Sequence, residues 1–573
     1  MPKLKLQQTS FTAGEISPKL KARIDVSKYY SGAEKMRNVV VLPLGGFQDR
    51  PGTRLIAELA DWAAGGRVLP FAFNTEQAYL FALTAGQFRV WRNDALVATV
   101  GSQPWTGPQA RETNRTQSAD TLLLFHKDLA PWRILRGGSH SSWTTGAAPL
   151  ANLPTFDFGS GAEAVISSTR GWPRCGSIYQ GRLYMGGLRS RPSTMLGSNV
   201  GAYFDFDKGT SLDDEGINVT IDDDQVNAIY QIASGRHLQV FSSGGAFAAL
   251  VNPPITPKNV ALDRQTKRGI REFVPTIEVD GATLYVEKSG QTLREFVYDY
   301  TEAAYLGPQS SLLAPHLIRT PVALAVAQSA DDDGADYVYL VNEDGTVACL
   351  NTLRGQEIAA YTLFETDGKF RDVAVLETGE TYFVVERTIG GVARFFLEKL
   401  DRASYLDAAV VYASGFPIST ATGLGHLEGK TVQIVRDGYV ETPQTVSGGQ
   451  IVLATPAASS LQIGLDFDVR VKPLPAEGKL ADGSMIGRKA RVVKATLRVQ
   501  ETSALAVNGV AKSFKGFSTD TTTPLDAPPP SFTGDVIFGG LQGWSRQGSI
   551  EISRPFPGSL CVLGVAMELA VSA

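Results

Sequence analysis

The 573-residue sequence predicts an all-β protein built around a β-propeller-like domain, and three observations carry that expectation. Glycine (58 residues) and proline (30) punctuate the chain too often to leave room for many long helices. Seven segments of apolar, β-branched and aromatic residues recur, all but TLLLFH followed by a Gly-containing turn: AYLFAL (78–83), TLLLFH (121–126), RLYMGG (182–187), HLQVFS (237–242), TLYVEK (283–288), YVYLVN (337–342) and TYFVVE (381–386). Their spacings of 43, 61, 55, 46, 54 and 44 residues match blades of four short strands, which need about 40–60 residues each. The turns VDGA (279–282), EKSGQ (287–291), NEDGT (342–346) and VRDGY (435–439) place Asp-Gly or Ser-Gly where a hairpin needs positive φ. About seven blades are therefore expected over residues 65–410. Two stacked β-sandwiches would use the same hairpins without closing a ring and are the alternative architecture. The tetrapeptide QSAD, at 117–120 and 328–331, precedes two of the centres but consists of common residues and adds little.

The remaining elements follow in chain order. Residues 1–60 read as an N-terminal arm: SKYYSGAEKMRN (27–38) has a Ser N-cap and helix-compatible residues, which predicts one short helix before VVVLPLGG. The propeller-like domain is assigned to 61–418 and a small β domain to 419–478, where short strands alternate with tight turns. KPLPAEGKLADGS (472–484) breaks that pattern. ARVVKATLRVQ (490–500), DVIFGGLQGW (535–544) and SIEISRP (549–555) then predict a C-terminal antiparallel β domain over 479–573, with STDTTTPLDAPPPSFTG (518–534) as an exposed loop.

Composition excludes several functions. Lys and Arg total 54 against 58 acids, a net charge of −4, so no global electrostatic footprint for nucleic acid exists. Cys175, Cys349 and Cys561 are too few and too far apart for a disulfide framework, and their odd count fits a reducing compartment. The start MPKLKLQQTSFTAGE lacks the apolar core of an export signal, and the apolar run LCVLGVAM (560–567) is far short of the ~20 residues of a membrane span. EGKT (428–431) resembles the end of a phosphate-binding loop, but Leu424 stands where the first glycine belongs and VQIV continues as a strand instead of a helix. SADDDG (329–334) has one residue too many for a sialidase-type Asp-box. There is no G-x-S-x-G, and His126, His140, His237, His316 and His426 show no metal-binding spacing and read as surface or loop histidines. No catalytic residue, cofactor or metal is assigned, and the chain is expected not to be an enzyme.

One charged feature remains. Asp207, Asp213, Asp214, Glu215, Asp222, Asp223 and Asp224 crowd DKGTSLDDEGINVTIDDD (207–224) against Lys208 alone. A solvated loop and a weak calcium site are both open readings of such a run.

FTAGEISPKLKARIDVSKYYSGAEKMRN (11–38) followed by GGFQDRPGTR (45–54) resembles the N-terminal signature of the tail nozzle proteins of short-tailed bacteriophages and prophages, the tail tubular protein B-like family. Further similar segments follow in order: QSADTLLLFHKDLAPWRILR (117–136), YQGRLYMGGLRSRPSTMLGSNVGAYFDF (179–206), EKSGQTLREFVYDY (287–300), SSLLAPHLI (310–318), GHLEGKTVQIVRDG (425–438) and ISRPFPGSLCVLGVAMEL (552–569). No single segment is diagnostic; the ordered set covers nearly the whole chain. DDDGAD (331–336) has no counterpart in the family.

The resemblance implies a structural virion protein, made in the host cytoplasm and located in the tail. It would assemble with itself as a ring, usually a hexamer, below the head-to-tail adaptor, with tail fibres or spikes as neighbours and double-stranded DNA passing through. It further implies that Arg50 and Arg54, in the N-terminal turn, are candidates for a subunit or adaptor interface, with intrachain ion pairs as the equal alternative. The seven acids of 207–224 become candidates for the lumen, where negative charge repels phosphates and keeps a duplex sliding. A propeller enzyme or carbohydrate-binding tailspike component, and a monomeric scaffold, are the rival functions, since propellers host all three.

Overall fold

The computed structural model describes residues 3–572 apart from 252–253, 329–334, 415, 458, 476–478, 481–482, 486–487, 515–527, 529 and 542. SADDDG (329–334), with it much of DDDGAD (331–336), and most of the 518–534 loop lie outside the described residues.

Among the described residues the centre is a ring of seven four-stranded antiparallel blades, the last two of which are parts of larger sheets. Blade 1 comprises Arg67–Asn74, Gln77–Thr84, Gln87–Arg92 and Ala95–Val100; blade 2 Asn114–Ser118, Thr121–His126, Leu129–Arg136 and Trp143–Ala147; blade 3 Cys175–Tyr179, Arg182–Gly186, Thr194–Gly197 and Ile217–Thr220. Blade 4 comprises Ile229–Ser234, Leu238–Ser242, Ala246–Ala248 and Asp263–Thr266; blade 5 Ile277–Val279, Ala282–Val286, Leu293–Asp299 and Ala304–Leu306; blade 6 Pro321–Ala327, Asp336–Asn342, Val347–Leu353 and Ile358–Phe364. Each of the seven apolar centres falls on the second strand of its blade. Those strands are flanked by strands on both edges and by blades on both faces, so AYLFAL and TLYV are apolar without alternation, as doubly covered strands are.

Blade 7 takes three strands from one end of the ring, Lys369–Val375, Thr381–Ile389 and Val392–Asp401, and its outermost strand from the other, Gly52–Glu58. That strand runs antiparallel to Val392–Asp401, with Gly52 opposite Asp401 and Glu58 opposite Phe396. A Cβ at Gly52 would lie 2.2 Å from the Leu406 carbonyl oxygen, so only glycine lets the strand seat there. On the inner edge the ring closes where the Val68 N–H donates to Asp372 Oδ2 at 2.7 Å.

Blades 6 and 7 continue outward into the rest of the protein. Gly14–Glu15 and Gly32–Arg37 join the outer strand of blade 6 in parallel, Gly14 opposite Tyr361 and Arg37 opposite Leu363. Gly14 has φ +64° and lies so close to Tyr361 that an added Cβ would meet its nitrogen at 2.4 Å. The helix expected over 27–38 is a 3-10 turn at Ser27–Ser31 followed by the strand Gly32–Arg37. Pairing to Arg470–Pro473 and burial of Ala33 and Met36 outweigh the local helix compatibility of that stretch.

The small β unit includes Asp407–Ala413 as well as Thr431–Arg436, Gln450–Ala457 and Ser460–Leu465, around Leu424, Val432, Ile434, Ile451 and Ile463. The last propeller strand ends at Asp401, and this unit opens at Asp407 where 419 was expected. Ala490–Thr502 pairs with Phe532–Gly539 on one side and Cys561–Val571 on the other. The arm completes this C-terminal sheet: Lys3–Gln8 and Phe47–Asp49 both pair with Cys561–Val571. Phe11, Met36, Val41 and Phe47 share one core with Leu497, Val562 and Leu569. Both chain ends thus build one body, and the propeller is inserted between them.

Candidate functional site

GGFQDRPGTR crosses from the terminal body to the propeller in a few residues. Phe47–Asp49 belongs to the C-terminal sheet, and Gly52 opens the closing strand of blade 7. Arg50 sits at the crossing with its side chain fully buried. Its guanidinium makes a bidentate pair with Asp407, Nη1 to Oδ1 at 2.9 Å and Nη2 to Oδ2 at 2.6 Å. Nε donates to Asn38 Oδ1 (2.9 Å), Nη1 also to the Pro51 carbonyl (2.9 Å) and Nη2 to that of Glu365 (3.1 Å). Burial pushes the Asp407 carboxyl up, but the charge and hydrogen bonds of Arg50, with the charge of Arg387, hold it below the usual carboxylate range.

A second buried pair adjoins the first. Arg387 is bidentate to Glu398, both contacts 2.8 Å, and neither side chain is exposed. Thr53 links the pairs, its hydroxyl donating to Glu398 Oε2 at 2.5 Å while accepting from the Ala408 N–H at 2.9 Å. On the other side Arg554, from ISRPFPGS, reaches Asp49 at 3.3 Å and Asp466 at 3.1 Å. The Phe467 ring lies 3.8 Å from the Arg50 guanidinium and 4.2 Å from that of Arg554, a cation–π contact to each. Burial raises the Asp49 carboxyl despite Arg554 beside it. The network joins four parts: the arm, blade 7, the small β unit and the C-terminal body.

The sequence-derived candidates therefore separate. Arg50 has all its donor nitrogens engaged inside the chain, which leaves it nothing to offer a neighbouring subunit; the intrachain alternative describes it. Arg54 is part-exposed and pairs with Asp94 (2.5 Å) and Asp401 (3.3 Å). The acidic run divides at the outer strand of blade 3. Asp207, Asp213, Asp214 and Glu215 precede Ile217–Thr220, and Asp222, Asp223 and Asp224 follow it, so a four-residue strand of ~13 Å holds the two sets apart. Folding also supplies cations that a count within 207–224 omits. Arg264 pairs with Asp223, Lys258 approaches Asp213 at 3.7 Å, and buried Arg182 donates to the Asp213 and Glu215 carbonyls. Among the described residues no group of three or more His, Cys, Asp or Glu side chains could hold a metal ion.

Two of the histidines read as surface or loop residues are buried. His126 lies on the second strand of blade 2 with Nε2 3.2 Å from Glu112, and His426 Nε2 donates to the Ala408 carbonyl at 2.9 Å. Burial lowers the His426 pKa. EGKT is followed by the strand Thr431–Arg436, and Glu428 accepts from the Gly448 and Gly449 N–H groups, a turn closure with no helix N-terminus.

Sequence reasoning missed the propeller axis. A cavity of about 610 Å³ is bordered by inner-strand residues of blades 1, 2, 4, 5, 6 and 7 and by the segment 270–276 that precedes blade 5. Arg67, Arg115, Arg174 and Arg271 line it. Single arginines on successive blades, spaced by tens of residues, leave no local motif to find.

No family model matches the chain, and no curated protein sequence matches it. Similar solved structures include virginiamycin B lyase from Staphylococcus aureus, 10% identical over 60% of this chain and 99% of that one, TM-score 0.35. The WD40 domain of Neurospora crassa Pan2 is 8% identical over 62% of this chain and 95% of that one, TM-score 0.36. The WD40 propeller domain of Doa1 is 11% identical over 62% and 98%, TM-score 0.36. The assignment of an all-β propeller with additional β units follows from the sheet order of this chain itself. Among the described residues no helix is long and apolar enough to cross a membrane.

Proposed function

We propose that the chain is the structural subunit of a phage tail nozzle: a ring, six-fold in the family it resembles, seated below the head-to-tail adaptor and conducting double-stranded DNA at ejection. The observation that carries this reading is where the family-like segments meet. Residues 45–54 and 552–569 come from opposite ends of the chain, and Asp49 and Arg50 meet Arg554 around Phe467. Two of the segments that carry the resemblance are thus among those that fix the propeller to the terminal body. A subunit that must hold a wide ring under load needs such a fixed angle between its parts.

The axial cavity bears on the route of DNA. About 610 Å³ is the size of a small-molecule site, not of a duplex channel. In this reading the genome passes between subunits through the ring's lumen, and the acidic loops on the rim of blade 3 are the charges to look for along it. The test is the native mass of the full-length protein, alone and with its adaptor. A closed six-fold ring in either sample supports the nozzle; a trimer, or a monomer that stays single on the adaptor, overturns it.

A further inference from the structure

The axial cavity combines ligand size with an arginine-rich wall. Three arginines line it from separate elements: Arg67 from blade 1, Arg115 from blade 2 and Arg271 from the segment leading into blade 5. Among the described residues none of the three has a carboxylate within salt-bridge distance. Arg67 Nη1 donates only to the carbonyls of Arg111, Thr113 and Phe273, at 3.1, 3.2 and 3.3 Å. Arg115 donates one bond, Nη1 to the Pro70 carbonyl at 3.0 Å, and no described side chain pairs with Arg271. The fourth arginine, Arg174, is neutralised by Glu272.

The acids on the same wall are already engaged or peripheral. Asp372 accepts from the N–H groups of Val68 (2.7 Å) and Val373 (2.9 Å), and its charge also acts on Arg67. Glu112 faces His126 at 3.2 Å, and Glu377 is exposed. Enclosure depresses Arg115, the charge of Arg67 depresses it further, and that of Glu377 acts in the opposite sense. Two like charges held together inside a fold are unfavourable unless an anion joins them.

We propose that this cavity is a binding site for a small phosphate-bearing anion, held by Arg67, Arg115 and Arg271. Guanidinium forks match phosphate oxygens, and arginines supplied by three separate elements suit a group with several oxygens. A carboxylate, with two oxygens in one plane, could engage them less completely. The volume of about 610 Å³ lies within the range of small-ligand pockets. The proposal is independent of the nozzle reading, since it rests on one propeller alone.

The test is titration calorimetry on the full-length protein with inorganic phosphate, pyrophosphate and acetate at matched ionic strength. Saturable binding of phosphate, tighter for pyrophosphate and absent for acetate, is expected. Arg115→Gln and Arg271→Gln should each weaken pyrophosphate by about tenfold or more. No described side chain pairs with that of Arg271, so Arg271→Gln should melt as wild type does in chloride buffer and remain informative if Arg115→Gln does not fold. Absence of saturable heat from both phosphates overturns the site. Unchanged affinity in a folded Arg271→Gln removes Arg271 from it, and acetate binding as tightly as phosphate overturns the ligand assignment.

Discussion

Replacing Arg50 with methionine isolates what the buried pair contributes. The Asp407 carboxyl then loses its bidentate partner inside the fold and must either stay ionised or take up a proton. Protonation sets the ceiling on the penalty. Relative to an unfolded aspartate with a pKa of about 3.9, it costs about 1.4 kcal/mol per pH unit, hence about 4 kcal/mol at pH 7 and about 1.5 kcal/mol at pH 5. The charge of Arg387 on Asp407 brings the value somewhat below the ceiling. Loss of the contact over Phe467 adds a part that does not vary with pH. A loss of about 3–4 kcal/mol at pH 7 is therefore expected, in line with breaking a buried pair from one side, and it should shrink by about 2 kcal/mol or more at pH 5. In the wild type this carboxyl is depressed, so its contribution is present above the unfolded pKa and is lost only as pH falls through the folded one. Urea denaturation at both pH values, followed by circular dichroism and tryptophan fluorescence, measures the difference. The Arg50→Met, Asp407→Asn double variant should recover most of the pH-dependent part. An equal deficit at pH 7 and pH 5 would refute the charge argument and leave only packing.

Two other perturbations test the ring. Burial raises the Asp372 carboxyl to about 6 against the opposing charge of Arg67, so its contribution to stability is full below the unfolded pKa and lost as pH rises through the folded one. Asp372→Asn should accordingly flatten the stability profile between pH 4 and pH 6 by up to about 3 kcal/mol; a profile parallel to wild type would contradict the assignment. Deleting residues 1–40 strips strands from the C-terminal sheet and from the outer edge of blade 6 but leaves Gly52–Glu58 in place, so on the nozzle reading it should abolish ring assembly with the propeller blades still folded, whereas deletion through residue 59 also exposes the edge of Val392–Asp401 and should unfold blade 7. Analytical ultracentrifugation and circular dichroism separate the two truncations, and equal behaviour would refute the role of the closing strand.

The blades were legible because each has a locally encoded centre. AYLFAL, TLLLFH and YVYLVN are strands covered on both faces, and their composition alone reports that burial. The closure of blade 7 was not legible, since Gly52–Glu58 and Val392–Asp401 lie more than 300 residues apart and neither shows which strand it pairs with. Arg50 stood out in GGFQDRPGTR, but its partner Asp407 and the Thr53, Glu398 and Arg387 group beyond it come from distant strands. The stretch 27–38 misled in the opposite way. Its local residues suit a helix, and only its neighbours in the fold, Arg470–Pro473 and the edge of blade 6, make 32–37 a strand.

The buried charges at the junction are better understood as setting an angle than as adding stability. Well-packed apolar side chains can replace a buried ion pair at little or no loss, so two full pairs at one crossing need another explanation. Apolar surfaces tolerate small slides, whereas Arg50 satisfies Asn38, Pro51, Glu365 and Asp407 together in one position only. The same holds for Arg554 against Asp49 and Asp466, on the opposite face of Phe467. Blades 6 and 7 meanwhile run as continuous hydrogen-bonded sheets into the terminal body and the small β unit, with no linker to act as a hinge. Sheet continuity resists bending out of register, and the bidentate pairs resist sliding. Together they hold the propeller at one fixed orientation to the body formed by the two chain ends.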